Sequence, residues 1–144
     1  MCLMGPGGGV VRTLGCTVTD VHYALSSALL TWLMLMAAAE LHTPTWTKVG
    51  AKLAFGNRDA LPPRSPIAAR ADRAAKNMIE NMVLFVCVFA AVKSTGADCT
   101  VGAAIFFHAR VAYFISYLAG IVVVRSLIWG ASLVGLFWMA QSAW

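Results

Sequence analysis

Residues 70–92 decide the fold, and they read RADRAAKNMIENMVLFVCVFAAV. The first twelve residues carry five formally charged side chains, and the chain then enters an apolar run with no turn signal between them. Ser65 followed by Pro66 is typical of a helix N-cap with proline at the first helical position. The pattern predicts one helix over residues 66–92. It would rise about 40 Å, more than the roughly 30 Å hydrocarbon core of a bilayer, so its first turns must project into the aqueous side.

The composition indicates an integral membrane protein. Of the 144 residues, 60% are apolar and only 12% are charged, and the mean hydropathy is +0.75. Length and periodicity predict four spans, at residues 21–41, 74–92, 99–119 and 125–142. The predicted fold is therefore all-α, an integral membrane four-helix bundle in residues 18–144. Residues 1–17 are expected to be a disordered N-terminal tail.

The net charge of +5 lies entirely between residues 48 and 76, where seven basic residues accompany two acidic ones. Basic connections stay on the cytoplasmic side of the membrane, so the connection at 43–66 is expected on that side. It is expected to be extended, with one helical turn around 46–55. The turn at 93–98 and both termini are then outside, and the connection that carries Arg125 returns to the cytoplasmic face. No aromatic residues alternate with the basic ones as in single-strand binders, so no nucleic-acid partner is expected.

Two of the predicted spans carry a polar stripe along one face. Ionisable residues inside spans are costly and are functional candidates by default. Positions three, four or seven residues apart share a helix face, and the two stripes consist of Arg73, Asn77 and Glu80 and of Arg110, Tyr113 and Tyr117. With Arg125 they predict a cationic pocket near the cytoplasmic face. Arginines bind carboxylates bidentately and Glu80 can accept an ammonium group, so the pocket suits a small ligand with several carboxylates and an amine.

Structural roles are the alternatives for the same residues. Arg73 could be a surface charge near the headgroups, and Glu80 with Arg110 could form a buried ion pair. The two tyrosines could belong to an interfacial aromatic belt, and Trp129 is expected to belong to such a belt or to a packing face. The four cysteines form no CxxC pair and no histidine stands at metal-ligand spacing, so no metal site is expected. Cys87 lies in the second span and is expected to be a small buried apolar residue.

The motif RADRAAKNMIEN, preceded by GNRDALPP and followed by ARVAYFISYL and VVVRSL, resembles the MAPEG family, the membrane-associated proteins in eicosanoid and glutathione metabolism. The resemblance covers residues 20–142. The R-x3-N-x2-E and R-x2-Y-x3-Y elements, in this order and with an Arg-Ser pair after them, are jointly specific. The short chain and the GNRD loop are similar to the bacterial branch. The resemblance implies a homotrimer in a bacterial inner membrane, with glutathione as cosubstrate bound between neighbouring protomers on the cytoplasmic side.

The resemblance also implies roles for individual residues. Those that would hold the glutathione backbone and complete its pocket are Arg73, Asn77, Glu80, Arg110, Tyr113 and Tyr117. Arg125 matches the arginine that stabilises the glutathione thiolate, and Ser126 is its hydroxyl neighbour. Asn81 stands where leukotriene-forming members carry a tyrosine, which speaks against eicosanoid synthesis.

These residues support three hypotheses. The leading one is a membrane-bound glutathione-dependent transferase or peroxidase that acts on lipophilic electrophiles or hydroperoxides. Its expected partners are other copies of the same chain, membrane lipids and a lipophilic small-molecule substrate. An arginine beside a thiol lowers the pKa of that thiol and populates the nucleophilic thiolate. The second is a non-catalytic membrane scaffold or lipid-binding protein with the same fold. The third, an exporter with Glu80 as proton carrier, is less favoured because arginines are available to neutralise Glu80.

Overall fold

The computed structural model describes residues 19–57 and 61–144. Its helices are α1 (Asp20–His42), α2 (Lys48–Ala54), α3 (Pro66–Ser94), α4 (Thr100–Ala119) and α5 (Val122–Gln141), and these described residues contain no strand. All but α2 are long and apolar enough to cross a membrane. The chain is thus an all-α membrane four-helix bundle, as its sequence predicts, and α2 confirms the short helix expected in the first connection. The tail predicted for residues 1–17 lies outside the described residues.

The start of α3 follows directly after Ser65, as predicted. Ser65 Oγ accepts a hydrogen bond from the N–H of Ala68 at 3.2 Å, and the proline between them occupies a position where a missing N–H costs nothing. Asp72 pairs with Arg64 at 3.3 Å and with Lys76 at 2.9 Å, which fixes the first charged turns. The 29 residues of α3 rise about 43 Å. The helix is therefore longer than the hydrocarbon core, and its charged end extends past it.

The reversal between α4 and α5 takes only two residues. Gly120 has a φ of +80°, in the left-handed region that glycine enters at little cost. The N–H of Ile121 donates to the carbonyl of Ser116 and the N–H of Gly120 to that of Tyr117, both at 3.1 Å, which is a Schellman motif. Helix α5 consequently begins at Val122. The predicted start was wrong by three residues because a left-handed glycine makes a longer connection unnecessary.

Helices α4 and α5 pack together at backbone contact. A Cβ added to Gly102 would lie 2.7 Å from the nitrogen of Met139 and 2.8 Å from the carbonyl oxygen of Gly135. A Cβ on Gly135 would lie 2.8 Å from the nitrogen of Phe106. Small residues of this kind let helix backbones approach closely in membrane bundles. This contact fixes α5, and with it Arg125, against α4.

The expectation for Cys87 was wrong, since its side chain is exposed on the outer surface of α3. The side chains of Met78 and Phe85 on the same helix are fully or almost fully buried. Those two positions are seven residues apart and therefore share a face, whereas a residue two positions after Phe85 is rotated by about 200°. Apolar character along a span does not distinguish the two faces.

A buried polar cluster ties α1, α3 and α4 together at the end of the bundle opposite the start of α3. Asp20 accepts hydrogen bonds from Lys93 Nζ at 2.9 Å and from the N–H of Val21 at 2.8 Å. Its own N–H donates to Thr100 Oγ1 at 3.1 Å. Burial and the negative charge of Asp20 raise the pKa of the Cys99 thiol to about 11. The thiol donates to Asp20 Oδ2 at 3.6 Å, a contact that favours its neutral form.

Candidate functional site

The candidate site is a cavity of about 320 Å³ between α3, α4 and α5. Its lining consists of Asn77, Tyr113, Tyr117, Arg125, Ser126 and Trp129. The first five were selected as site residues from the sequence. The guanidinium of Arg70, near the start of α3, would lie 3.8 Å from a Cβ on Gly120 in the α4–α5 turn. The start of α3, the end of α4 and the start of α5 therefore meet at one end of the bundle, where the cavity lies.

Arg110 lies directly behind the Asn77 wall of this cavity and is fully buried. Its Nη1 donates to Asn77 Oδ1 at 2.9 Å, and its guanidinium carbon lies 5.3 Å from the ring centre of Phe106 and 5.4 Å from that of Tyr113. Its Nε and Nη2 have no acceptor among the described residues. Because Asn77 uses its amide oxygen on Arg110, the amide N–H₂ group of Asn77 is the part available as a donor to the cavity.

The two phenols and Arg125 form the opposite wall. The Arg125 guanidinium lies 4.6 Å from the ring centre of Tyr117, a cation–π distance, and the Tyr113 and Tyr117 rings meet edge to face at 5.3 Å. Both tyrosines are buried, so they do not form an outward-facing aromatic belt within this chain. Ser126 Oγ donates to the carbonyl of Val122 at 3.2 Å, which leaves its lone pairs for a ligand.

Arg73 and Glu80 take a different position from the rest of the α3 stripe. Both side chains are exposed and neither lines the cavity, whereas Asn77 between them is half-buried. Within residues 19–57 and 61–144 no ion pair joins Glu80 to Arg110, so the buried-pair alternative does not hold in the single chain. The structure thus brings together six of the eight predicted site residues, counting Arg110, and leaves two charges on the outer surface of α3.

Trp129 is the cavity residue that the sequence did not select. It follows Arg125 by four positions, which places both side chains on one face of α5, and this spacing was the available signal. Asn81 is buried, and its Nδ2 donates to the carbonyl of Asn77 at 2.8 Å. It does not line the cavity, so the departure from a tyrosine at this position removes a phenol without adding a new group to the site.

A second cavity of about 350 Å³ lies between the end of α1, α2 and the start of α3. Its carboxylates already have partners. Glu40 accepts hydrogen bonds from the N–H and the hydroxyl of Thr45, both at 2.9 Å, and Asp72 pairs with Arg64. No buried side-chain atom without a partner belongs to this lining in the described part of the chain. By contrast, the unpartnered Nε and Nη2 of Arg110 lie behind the first cavity.

The model of the MAPEG family matches residues 21–143. None of the curated proteins and none of the solved structures compared with the chain gives a significant match. The matched region runs from the first residues of α1 to the end of α5 and includes every residue of the first cavity.

Proposed function

The chain belongs to the MAPEG family, and from this premise we propose that it is a membrane-bound glutathione-dependent transferase or peroxidase acting on lipophilic electrophiles or hydroperoxides. Family membership supports a glutathione-related membrane function in general. The finer assignment rests on the first cavity and on the chemistry of the groups around it.

The observation that carries the proposal is the unbalanced positive charge of this cavity. Arg125 stands in its wall and Arg110 is buried behind Asn77, while no acidic residue is among the lining side chains. A buried guanidinium is costly unless its N–H groups find acceptors, and Asn77 supplies only one. A ligand with carboxylates in the cavity would balance the positive charge of Arg125 and Arg110, and glutathione carries two carboxylates and one ammonium group. The donor set therefore fits glutathione.

The residues of the chain have separable tasks in this proposal. Asn77 and the two phenols bind and orient the peptide part of the ligand through neutral hydrogen bonds. Glutathione supplies a thiol as the nucleophile when it is bound. Arg125, held over the Tyr117 ring, stabilises negative charge on that sulfur and so lowers the pKa of the thiol, while Ser126 offers a hydroxyl beside it.

A homotrimer is part of the proposal because the outer charges of α3 need a partner. Glu80 lies thirteen residues from Lys93, about 20 Å along the helix, and therefore within the hydrocarbon core. Exposed charges at this depth are expensive and normally face a bundle interior. A neighbouring protomer that covers Arg73 and Glu80 would bring them to the shared ligand, with Glu80 opposite the glutathione ammonium. The basic first connection supports a cytoplasmic location for this end of the bundle, and the membrane in this proposal is a bacterial inner membrane.

The lipophilic substrate would enter from the bilayer. Val122 and Leu127 are exposed on α5 beside Arg125, and in a membrane these side chains contact acyl chains. Trp129 adds a broad apolar wall one turn away from the guanidinium. An electrophile dissolved in the membrane can therefore reach the thiol without crossing an aqueous phase.

The experiment is equilibrium binding of glutathione to detergent-purified protein, with ultraviolet absorption to detect bound thiolate and a model electrophile to measure turnover. Arg125→Ala should lower kcat by about 10²–10³-fold, as for loss of a group that stabilises developing charge, with the glutathione Kd changed only a few-fold. Arg64→Ala is the matched control, because Arg64 pairs with Asp72 outside the cavity, and it should leave both quantities unchanged. If wild-type protein binds no glutathione, or binds it without thiolate absorption, the proposal fails.

A second candidate is a non-catalytic membrane scaffold or lipid-binding protein. The bond between Arg110 and Asn77 favours it, since this bond joins α4 to α3 within the core and would stabilise the bundle with no ligand. In that case glutathione would not bind, and replacing Arg110 would alter stability alone.

A further inference from the structure

The start of α2 is fixed by a close contact with the turn that precedes it. Gly50 is the one buried residue of this helix, and a Cβ there would overlap the carbonyl oxygen of Pro44. The same carbonyl accepts hydrogen bonds from the N–H of Thr47 at 3.1 Å and from its hydroxyl at 2.9 Å. Thr47 Oγ1 in turn accepts from the N–H of Gly50 at 2.9 Å. The Gly50 side of α2 therefore lies against the Pro44 turn, and Lys48 and Lys52 lie on the other side of the helix, about 160° around its axis from Gly50.

Large apolar side chains are exposed in and beside α2. Trp46, just before the helix, is 78% exposed, Val49 is 70% exposed and Phe55, just after the helix, is 93% exposed. A helix on the surface of a soluble protein normally buries its large apolar residues. These three side chains have no such cover from the rest of the chain, and an apolar surrounding would supply it.

The position of α2 in the chain supplies these surroundings. Only five residues separate it from the end of α1, a membrane-spanning helix, and five extended residues reach at most about 17 Å. The headgroup region that borders the hydrocarbon core, where tryptophan is enriched, is therefore within reach of this helix. Amphipathic helices in this region lie flat, with their apolar side chains in the acyl boundary.

Lys48 and Lys52 give this helix its second property, a positive charge. They stand one turn apart on one side of α2, both are exposed, and neither forms an ion pair with another of the described residues. We propose that α2 with its flanking Trp46 and Phe55 is an interfacial docking element for anionic lipids, in which the aromatic side chains enter the acyl boundary and the two lysines contact headgroup phosphates. This proposal is independent of the glutathione site.

The electrostatic part of docking has a definite size. A lysine close to an anionic surface contributes about 1 kcal/mol, which corresponds to roughly fivefold in the ratio of docked to undocked helix. Loss of both lysines should reduce this ratio roughly 25-fold on an anionic bilayer and leave it unchanged on a zwitterionic one. Salt should weaken the anionic contribution because exposed charges are screened.

The test uses the full protein in nanodiscs of phosphatidylcholine alone and of phosphatidylcholine with an equal amount of phosphatidylglycerol. The fluorescence of Trp46 is obtained as the difference between wild type and Trp46→Phe. It is quenched in turn by phosphatidylcholine brominated on its acyl chains and by aqueous iodide. Docking predicts stronger quenching by bromine and weaker quenching by iodide in the anionic discs, and Lys48→Gln with Lys52→Gln should abolish the difference between the two membranes.

Lys76→Gln is the matched control, because Lys76 is an exposed lysine of the same basic region that pairs with Asp72 on α3 and should not affect Trp46. Equal quenching of Trp46 by iodide in both membranes would overturn the proposal. So would shielding of Trp46 from both quenchers, including in detergent, since a second copy of the chain would then cover the helix. If bromine quenches Trp46 equally in both membranes and equally with and without the two lysines, the partner of α2 is not an anionic lipid and the proposal is wrong.

Discussion

Replacing Gly135 with alanine tests whether the backbone contact between α4 and α5 positions the cavity. The new Cβ would lie 2.8 Å from the nitrogen of Phe106 and 2.9 Å from the carbonyl oxygen of Gly102, whereas ordinary contact begins near 3.4 Å. Both obstructing atoms belong to backbone and cannot rotate away. The two helices must therefore separate by about 0.6 Å, and overpacking of this kind costs about 1–3 kcal/mol.

Gly130→Ala is the matched control on the same helix. A Cβ at Gly130 meets nothing within 4 Å, so this variant gains only the helix propensity of alanine over glycine, about 1 kcal/mol. Gly135→Ala gains the same amount and loses the packing term. The difference in free energy of unfolding between the two variants therefore isolates the contact and should be about 1–3 kcal/mol, with Gly135→Ala the less stable.

The assay is thermal or denaturant unfolding in one detergent, followed by glutathione binding and turnover at a temperature where both variants are folded. Gly135 lies ten residues from Arg125, about 15 Å along α5, so a displaced helix should also move the guanidinium and lower turnover more than Gly130→Ala does. Equal unfolding free energies for the two variants would refute the close packing of α4 on α5. If the two variants differ in stability but have equal turnover, the contact between α4 and α5 does not position Arg125.

Three further substitutions distinguish effects on glutathione binding at the cavity from effects on the stability of the bundle. Arg110→Met should weaken glutathione binding at least about tenfold. The free energy of unfolding should change by about 1 kcal/mol or less, because an apolar side chain of similar volume replaces a buried charge at little cost. A large loss of stability without loss of binding would contradict this prediction. Asp20→Asn should cost about 1.5–3 kcal/mol through the lost charged hydrogen bond to Lys93, with glutathione affinity unchanged because this cluster lies at the other end. The pKa of the Cys99 thiol is raised in the folded protein, so the folded state disfavours the thiolate, and the stability that this thiol retains below about pH 9 is lost as the pH rises towards 11. The unfolding temperature should therefore fall less across this range in Cys99→Ala than in wild type.

The sequence predicted those features that depend on local chemistry. The Ser65-Pro66 pair located the start of α3, because capping needs only neighbouring residues. The spacing of Arg110, Tyr113 and Tyr117 placed them on one face, and all three are buried on that face of α4. These predictions needed only helical periodicity.

Features that depend on another helix were not predictable in the same way. Periodicity put Arg73, Asn77 and Glu80 on a common face, but only Asn77 lines the cavity and bonds to α4, whereas Arg73 and Glu80 are exposed. Trp129 was assigned to an aromatic belt or a packing face, although its position four residues after Arg125 carries it into the cavity. Burial of a side chain is a property of the assembled bundle.

In the proposed trimer, Asn77 marks the boundary between the part of the site that one chain completes and the part that a neighbouring protomer would complete. On its inner side the amide oxygen is fixed by Arg110, so this half of the site exists before any ligand binds. On its outer side Arg73 and Glu80 remain exposed, and a charge at the depth of Glu80 costs up to about 2.5–3.5 kcal/mol, the value for the bilayer centre. Burial of these charges against a neighbouring protomer would therefore favour assembly and ligand binding together. A ligand that bridges both sides must then stabilise the assembled form, because it binds that form more tightly than the separate chain.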